Sequence, residues 1–143
     1  MTKGEKMRKT TLFLFAVLLL SIIGFNSNSY AQSQPVLYLC ESYGDDGEVG
    51  ISDRFTTGYL TVMVKCNYAL GLSSVTIQFD KYDCTTGSFK YYSKFNYNVK
   101  PDMKYIFFEG KDLNFKSPGI YRVFLLDEYS KTVTSGLVEI ISK

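Results

Sequence analysis

The sequence predicts an all-β chain, a seven-stranded antiparallel β-sandwich, with a small barrel as the alternative, behind a cleavable N-terminal leader. Three observations predict it. Beyond residue 35, apolar residues recur at every second position in one segment after another, the period of a strand with one buried face. Clusters of Gly, Pro, Asp, Asn and Ser separate these segments at fairly even spacing, as turns do. The chain holds 12 Tyr and 11 Phe among 143 residues, and both are strand formers.

The leader comes first. Lys3, Lys6, Arg8 and Lys9 form a basic front, residues 12–25 an apolar run broken by Ser21 and Gly24, and residues 26–31 a polar stretch ending at Ala31. That order is the pattern of a secretory signal peptide cleaved after Ala31, which leaves 32–143 as a single domain. The apolar run is shorter than the ~20 residues a membrane span needs. Export predicts a secreted or periplasmic protein.

The strands follow in order. Residues 36–43 place Leu37 and Leu39 on one face and Val36, Tyr38 and Cys40 on the other. Residues 44–53 form a glycine-rich acidic loop. Segment 59–66 alternates clearly, with Leu60, Val62, Val64 and Cys66 toward the core. Segment 75–83 repeats the pattern with Val75, Ile77 and Phe79 inward, and 84–88 turns the chain. In segment 89–99, Phe89, Tyr91, Phe95, Tyr97 and Val99 share one side, while Lys90, Tyr92, Lys94, Asn96 and Asn98 share the other. Lysines there discourage edge-to-edge pairing if the strand lies at a sheet edge. Residues 104–109 alternate Tyr105 and Phe107 against Ile106 and Phe108, and Leu113 and Phe115 tuck under the next turn. Segment 132–141 closes the chain with Val138 and Ile140 on one face, and Gly136 is read as a bulge or bend.

The remaining strand, from Gly119 to about residue 128, organises the others. Tyr121, Val123 and Leu125 form one row and Ile120, Phe124 and Leu126 the other, interrupted only by Arg122. A strand apolar on both rows reads as buried on both. Its entrance, Ser117-Pro118-Gly119, is a turn with a mechanism, since Pro118 presets φ and Gly119 tolerates positive φ. Tyr121 follows at once. Turn and tyrosine together resemble the tyrosine corner of immunoglobulin-like and fibronectin type III-like sandwiches of secreted, bacterial-type proteins, in which the hydroxyl bonds to backbone a few residues upstream. Val123 stands where antibody domains carry a cysteine, so the resemblance is to the fold at large. It implies an immunoglobulin-like sandwich and structural roles for Pro118, Gly119 and Tyr121, and says nearly nothing of function.

Charge and chemistry narrow the function. The leader holds four of the 16 basic residues and one of the 14 acids, leaving 12 against 13, so nothing points to nucleic acid. The chain has no His, and an imidazole-activated nucleophile is therefore excluded. Carboxylate pairs such as Asp80 and Asp83 are what most surfaces carry, and the expectation is a protein that is not an enzyme. The best candidate metal site is the acidic loop, where Asp45, Asp46, Glu48 and Asp53 supply oxygens that suit calcium; the simpler reading of the same residues is a solvated turn. Tyr43, Tyr59, Tyr82, Tyr92 and Tyr129 lie outward or near loops. They are candidate platforms for a glycan, or amphipathic caps on the core margin. Of the three cysteines, Cys40 and Cys84 fall at the same end of the sandwich and Cys66 at the other, so the expected bridge is Cys40–Cys84. The function these features imply is a binding, adhesion or envelope-assembly module for a protein or glycan at the cell surface. The alternative is a calcium- or carbohydrate-binding accessory domain.

Overall fold

The structure, a computed structural model, describes residues 34–143; the expected leader and its cleavage point lie outside them. The described residues contain no helix. Their strands are β1 (Val36–Cys40), β2 (Ser42–Gly44), β3 (Gly47–Val49), β4 (Arg54–Thr56), β5 (Gly58–Tyr59), β6 (Thr61–Lys65), β7 (Ser74–Asp83), β8 (Ser88–Asn98), β9 (Tyr105–Phe108), β10 (Asn114–Phe115), β11 (Gly119–Leu126) and β12 (Thr132–Ile141). The long ones fall in the seven segments that alternation marks. The pieces of two or three residues lie in or beside segments that read as loops.

Two sheets carry the fold. One is three-stranded in the order β1-β6-β9, the other five-stranded in the order β4-β12-β11-β7-β8. Neighbours run antiparallel in both, except that β4 pairs parallel with β12. Two small pairs, β2–β3 and β5–β10, and an isolated bridge between Leu39 and Ser52 complete the pairing. Leu37, Leu39, Val62, Val64, Ile106 and Phe108 from the first sheet share one core with Val75, Ile77, Phe79, Tyr121, Val123, Leu125, Val138 and Ile140 from the second. At roughly 1.5–3 kcal/mol for each large apolar side chain buried, this cluster is the main favourable term. Leu113 and Phe115 are buried beneath the β11 turn, as expected.

The turn into β11 is tied by its tyrosine. Tyr121 is fully buried, and its hydroxyl donates to the Ser117 carbonyl at 2.8 Å. With that proton committed, the Ser117 hydroxyl donates to the Tyr121 oxygen at 2.9 Å, and Lys81 Nζ donates to Ser117 Oγ at 2.9 Å. Gly119 sits at φ +149°, and a Cβ there would lie 2.6 Å from Lys81 Cε.

Two bulges depart from strict alternation, and a third position expected to do so does not. Phe79 pairs with Ser93 but Asp80 pairs with Tyr91, so Tyr92 is an extra residue in β8. That bulge inverts the strand: Phe95 and Tyr97 pack on the core, while Phe89 stacks against Arg122 on the opposite face of the sheet. Phe89 and Tyr91 therefore do not share a side with Phe95 and Tyr97. Gly136 is not a bulge, since it pairs with Val123 in unbroken register. It is the point where β1 crosses β12, and a Cβ there would stand 2.8 Å from the Leu37 carbonyl oxygen. The extra residue of β12 is Val133, which packs against the core.

Candidate binding face

The outer faces of the two sheets are treated differently. On the three-stranded sheet, Cys40, Thr61 and Met63 point away from the core, yet all three are buried. The β2–β3 hairpin covers them. Asp45 and Asp46 form its two-residue turn, and Gly47 at φ +102° closes it. Tyr43 stacks on Phe107 with ring centroids 4.3 Å apart. The Tyr38 hydroxyl donates to the Glu48 carboxylate, and Lys65 Nζ lies 3.4 Å from the same oxygen. The Tyr105 and Tyr38 hydroxyls hold the Glu48 carboxyl down at about 2. Of the two, Tyr38 makes the direct bond; the Tyr105 hydroxyl is buried beside it without a hydrogen bond of ordinary geometry. Burial and the Glu48 charge push Tyr105 up to about 12, and they raise Tyr38 as well.

The five-stranded sheet has no such cover. Its outer row on β11 is Ile120, Arg122, Phe124 and Leu126. The strand is thus fully buried on one row only: on the other, Leu126 at the end of the strand is buried, Arg122 and Phe124 are half-buried and Ile120 is exposed. Cross-strand register sets Glu139 beside Ile120 and Leu137 and Asp80 on either side of Arg122, with Gln78 beside Phe124. Ile120 is 44% exposed, Leu137 57% and Tyr91 61%. The Arg122 guanidinium lies 4.2 Å from the Phe89 ring centroid and 5.9 Å from that of Phe124, so its charge is spread over an aromatic ridge. Two shallow depressions flank this ridge. Arg54, Glu139, Ile120 and Leu137 line one; Lys94, Gln78, Phe124 and Leu126 line the other. Arg54 holds Glu139 through contacts of 2.8 and 3.3 Å. The long edge strand β8 carries Lys90, Lys94 and the Tyr92 bulge, all of which discourage strand addition there.

The residues singled out from sequence are dispersed. Asp45 and Asp46 stand exposed at the hairpin tip, Glu48 is engaged by Tyr38 and Lys65, and Asp53 lies beside the other sheet, its carbonyl accepting from Glu139 N at 2.7 Å. Among the described residues, no group of three or more His, Cys, Asp or Glu side chains is placed to hold a metal ion. Asp80 accepts from Gln78 on the bare face, while Asp83 is capped by Thr85 and Thr86, whose donors lower its carboxyl. The Cys40–Cys84 bridge is not formed, and all three thiols are free. Cys40 faces away from the core under the hairpin, with Sγ 3.3 Å from the Ser42 carbonyl, whereas Cys84 is exposed in the turn after β7 in the other sheet. Burial, then the Glu48 charge, raises the Cys40 thiol. Cys66 is half-buried just past β6 rather than in the core, its Sγ against the Tyr68 and Lys104 carbonyls.

Among the surface tyrosines, Tyr59, Tyr92 and Tyr129 are exposed, whereas Tyr43 and Tyr82 are half-buried against Phe107 and Phe89. Sequence reasoning missed the Tyr38–Glu48–Lys65 latch and the covering role of the hairpin. The one signal for them was the Gly-Asp-Asp-Gly turn, read as a loop tip instead of a hairpin. Comparison of the chain with protein families and with curated proteins finds no match.

Proposed function

We propose that this chain is an exported, non-enzymatic binding module, an immunoglobulin-like sandwich of seven principal strands that engages a protein partner through the bare face of its five-stranded sheet. The sandwich reading draws support from strand order. Numbering only the seven long strands, one sheet runs first-second-fifth and the other seventh-sixth-third-fourth, and the Tyr121–Ser117 tie occupies the position of a tyrosine corner. Export rests on the leader pattern of residues 1–31, and cleavage after Ala31 is checked by the intact mass of the secreted product.

The observation that carries the binding reading is the asymmetry of the two outer faces. One sheet spends a hairpin of its own chain to bury Cys40, Thr61 and Met63. The other leaves Ile120, Leu137 and Tyr91 in solvent around a cationic, aromatic ridge, a composition that suits a protein interface. A photo-crosslinking residue placed at Leu137 or Ile120 in producing cells is expected to trap protein, and the same residue at Val49 on the hairpin is not. Equal trapping at all three positions, or none at the first two, would count against the face.

A further inference from the structure

Resting on that reading of the face, we propose that the partner is a second copy of this chain, the two five-stranded sheets packing face to face. Size is the first argument. Five strands at ~4.8 Å spacing and the eight residues of β11 at ~3.3 Å rise span roughly 24 by 26 Å, about 600 Å² in flat projection. Side-chain relief raises the accessible area above that figure, toward the ~800 Å² per partner of a standard stable interface.

Charge is the second argument. Arg54, Arg122 and Lys94 are matched on this face by Asp53, Asp80 and Glu139. A surface shaped for a strongly charged foreign partner would carry a net sign. This one carries none, so an identical face meets no net repulsion and can offer each cation an anion.

Closure is the third. A twofold contact uses the same patch on both chains. The hairpin already covers the middle of the three-stranded sheet's outer face, leaving Val36 and Phe107 exposed only at its margins, and lysines and a bulge guard the β8 edge. Association through the bare face therefore stops at two copies.

The test is sedimentation velocity on the full chain expressed with its leader, across the micromolar range. The expected result is a concentration-dependent dimer. Leu137→Glu, with Ile120→Glu as a second variant, should weaken it about tenfold or more, as loss of a central interface contact does, with the unfolding midpoint unchanged when measured at a dilution where the parent is also monomeric. Val49→Glu should leave it intact. A monomer at every concentration, or a dimer indifferent to both face variants, overturns the proposal. In that event, a crosslink from Leu137 to a different protein in producing cells would sink self-association alone and leave the binding face standing. No crosslink at all would sink both.

Discussion

Tyr121→Phe removes one oxygen from the centre of the molecule and leaves the ring in place. Phe115 and Tyr92 hold that ring edge-on at 5.2 and 5.4 Å, so no cavity of consequence opens. What is lost is the bond to the Ser117 carbonyl and an acceptor for the Ser117 hydroxyl. A typical intramolecular hydrogen bond contributes about 1 kcal/mol net, and a half-buried carbonyl left without its donor adds part of a desolvation cost, so the change is expected to cost about 1–2 kcal/mol. With an m-value of about 1.5 kcal/mol/M, reasonable for a domain of this size, the urea midpoint falls by about 1 M. Ser117→Ala provides the control. The principal acceptor is the backbone carbonyl, which that change keeps, so its cost should be about half as large. An unchanged midpoint for Tyr121→Phe would remove the corner from the account of stability. A Ser117→Ala loss equal to or larger than the tyrosine's would show that the side-chain relay to Lys81, and not the backbone tie, secures the turn.

Gly136→Ala is expected to destabilise by about 1–3 kcal/mol, because the new methyl meets the Leu37 carbonyl, which belongs to backbone and yields little; a midpoint within error of the parent would refute the close crossing of β1 over β12. The Glu48 carboxyl has a folded pKa near 2, below its ordinary value of 4.5. Its contribution to stability is therefore complete above about pH 5 and is lost as pH falls toward 2. Urea midpoints measured down through that window should fall more steeply for the parent than for Glu48→Gln, and parallel curves would show that the hairpin latch does not titrate. Thiol labelling of the native protein, followed by peptide mass mapping, should modify Cys84 first, Cys66 more slowly, and Cys40 only as the hairpin opens or the chain unfolds. Early labelling of Cys40 would contradict the covered face.

Much of the fold was legible because strand periodicity is local. A run such as Val75, Ile77 and Phe79 declares its buried face without reference to anything else, and each of the three is buried. The same holds for Leu60, Val62 and Val64, and for Ile106 and Phe108. The Ser117-Pro118-Gly119 turn with Tyr121 was legible too, since donor and acceptor lie four residues apart. Segment 89–99 was legible only in part. A single inserted residue, Tyr92, reverses which face Phe89 and Tyr91 occupy, and that insertion is defined by the partner strand β7, not by β8 itself.

The candidate site was hardly legible at all. The acidic residues of 45–53 are neighbours in sequence, yet the chain passes from one sheet to the other between Glu48 and Asp53 and separates them. Cys40 and Cys84 were placed by strand ends, but which side of its sheet Cys40 faces settled the matter. By itself, then, the sequence determined the long strands, the core-facing rows of those without a bulge and the tyrosine turn, all set by contacts within a few residues. Tertiary structure alone decided which outer face is covered and which is bare. That outcome depends on where residues 42–49 fold back, on the meeting of Glu48 with Tyr38 and Lys65, and on the absence of any described segment over Ile120, Arg122 and Leu137. Those contacts join positions ten to seventeen residues apart, and the Gly-Asp-Asp-Gly turn that permits the hairpin does not say which face it covers.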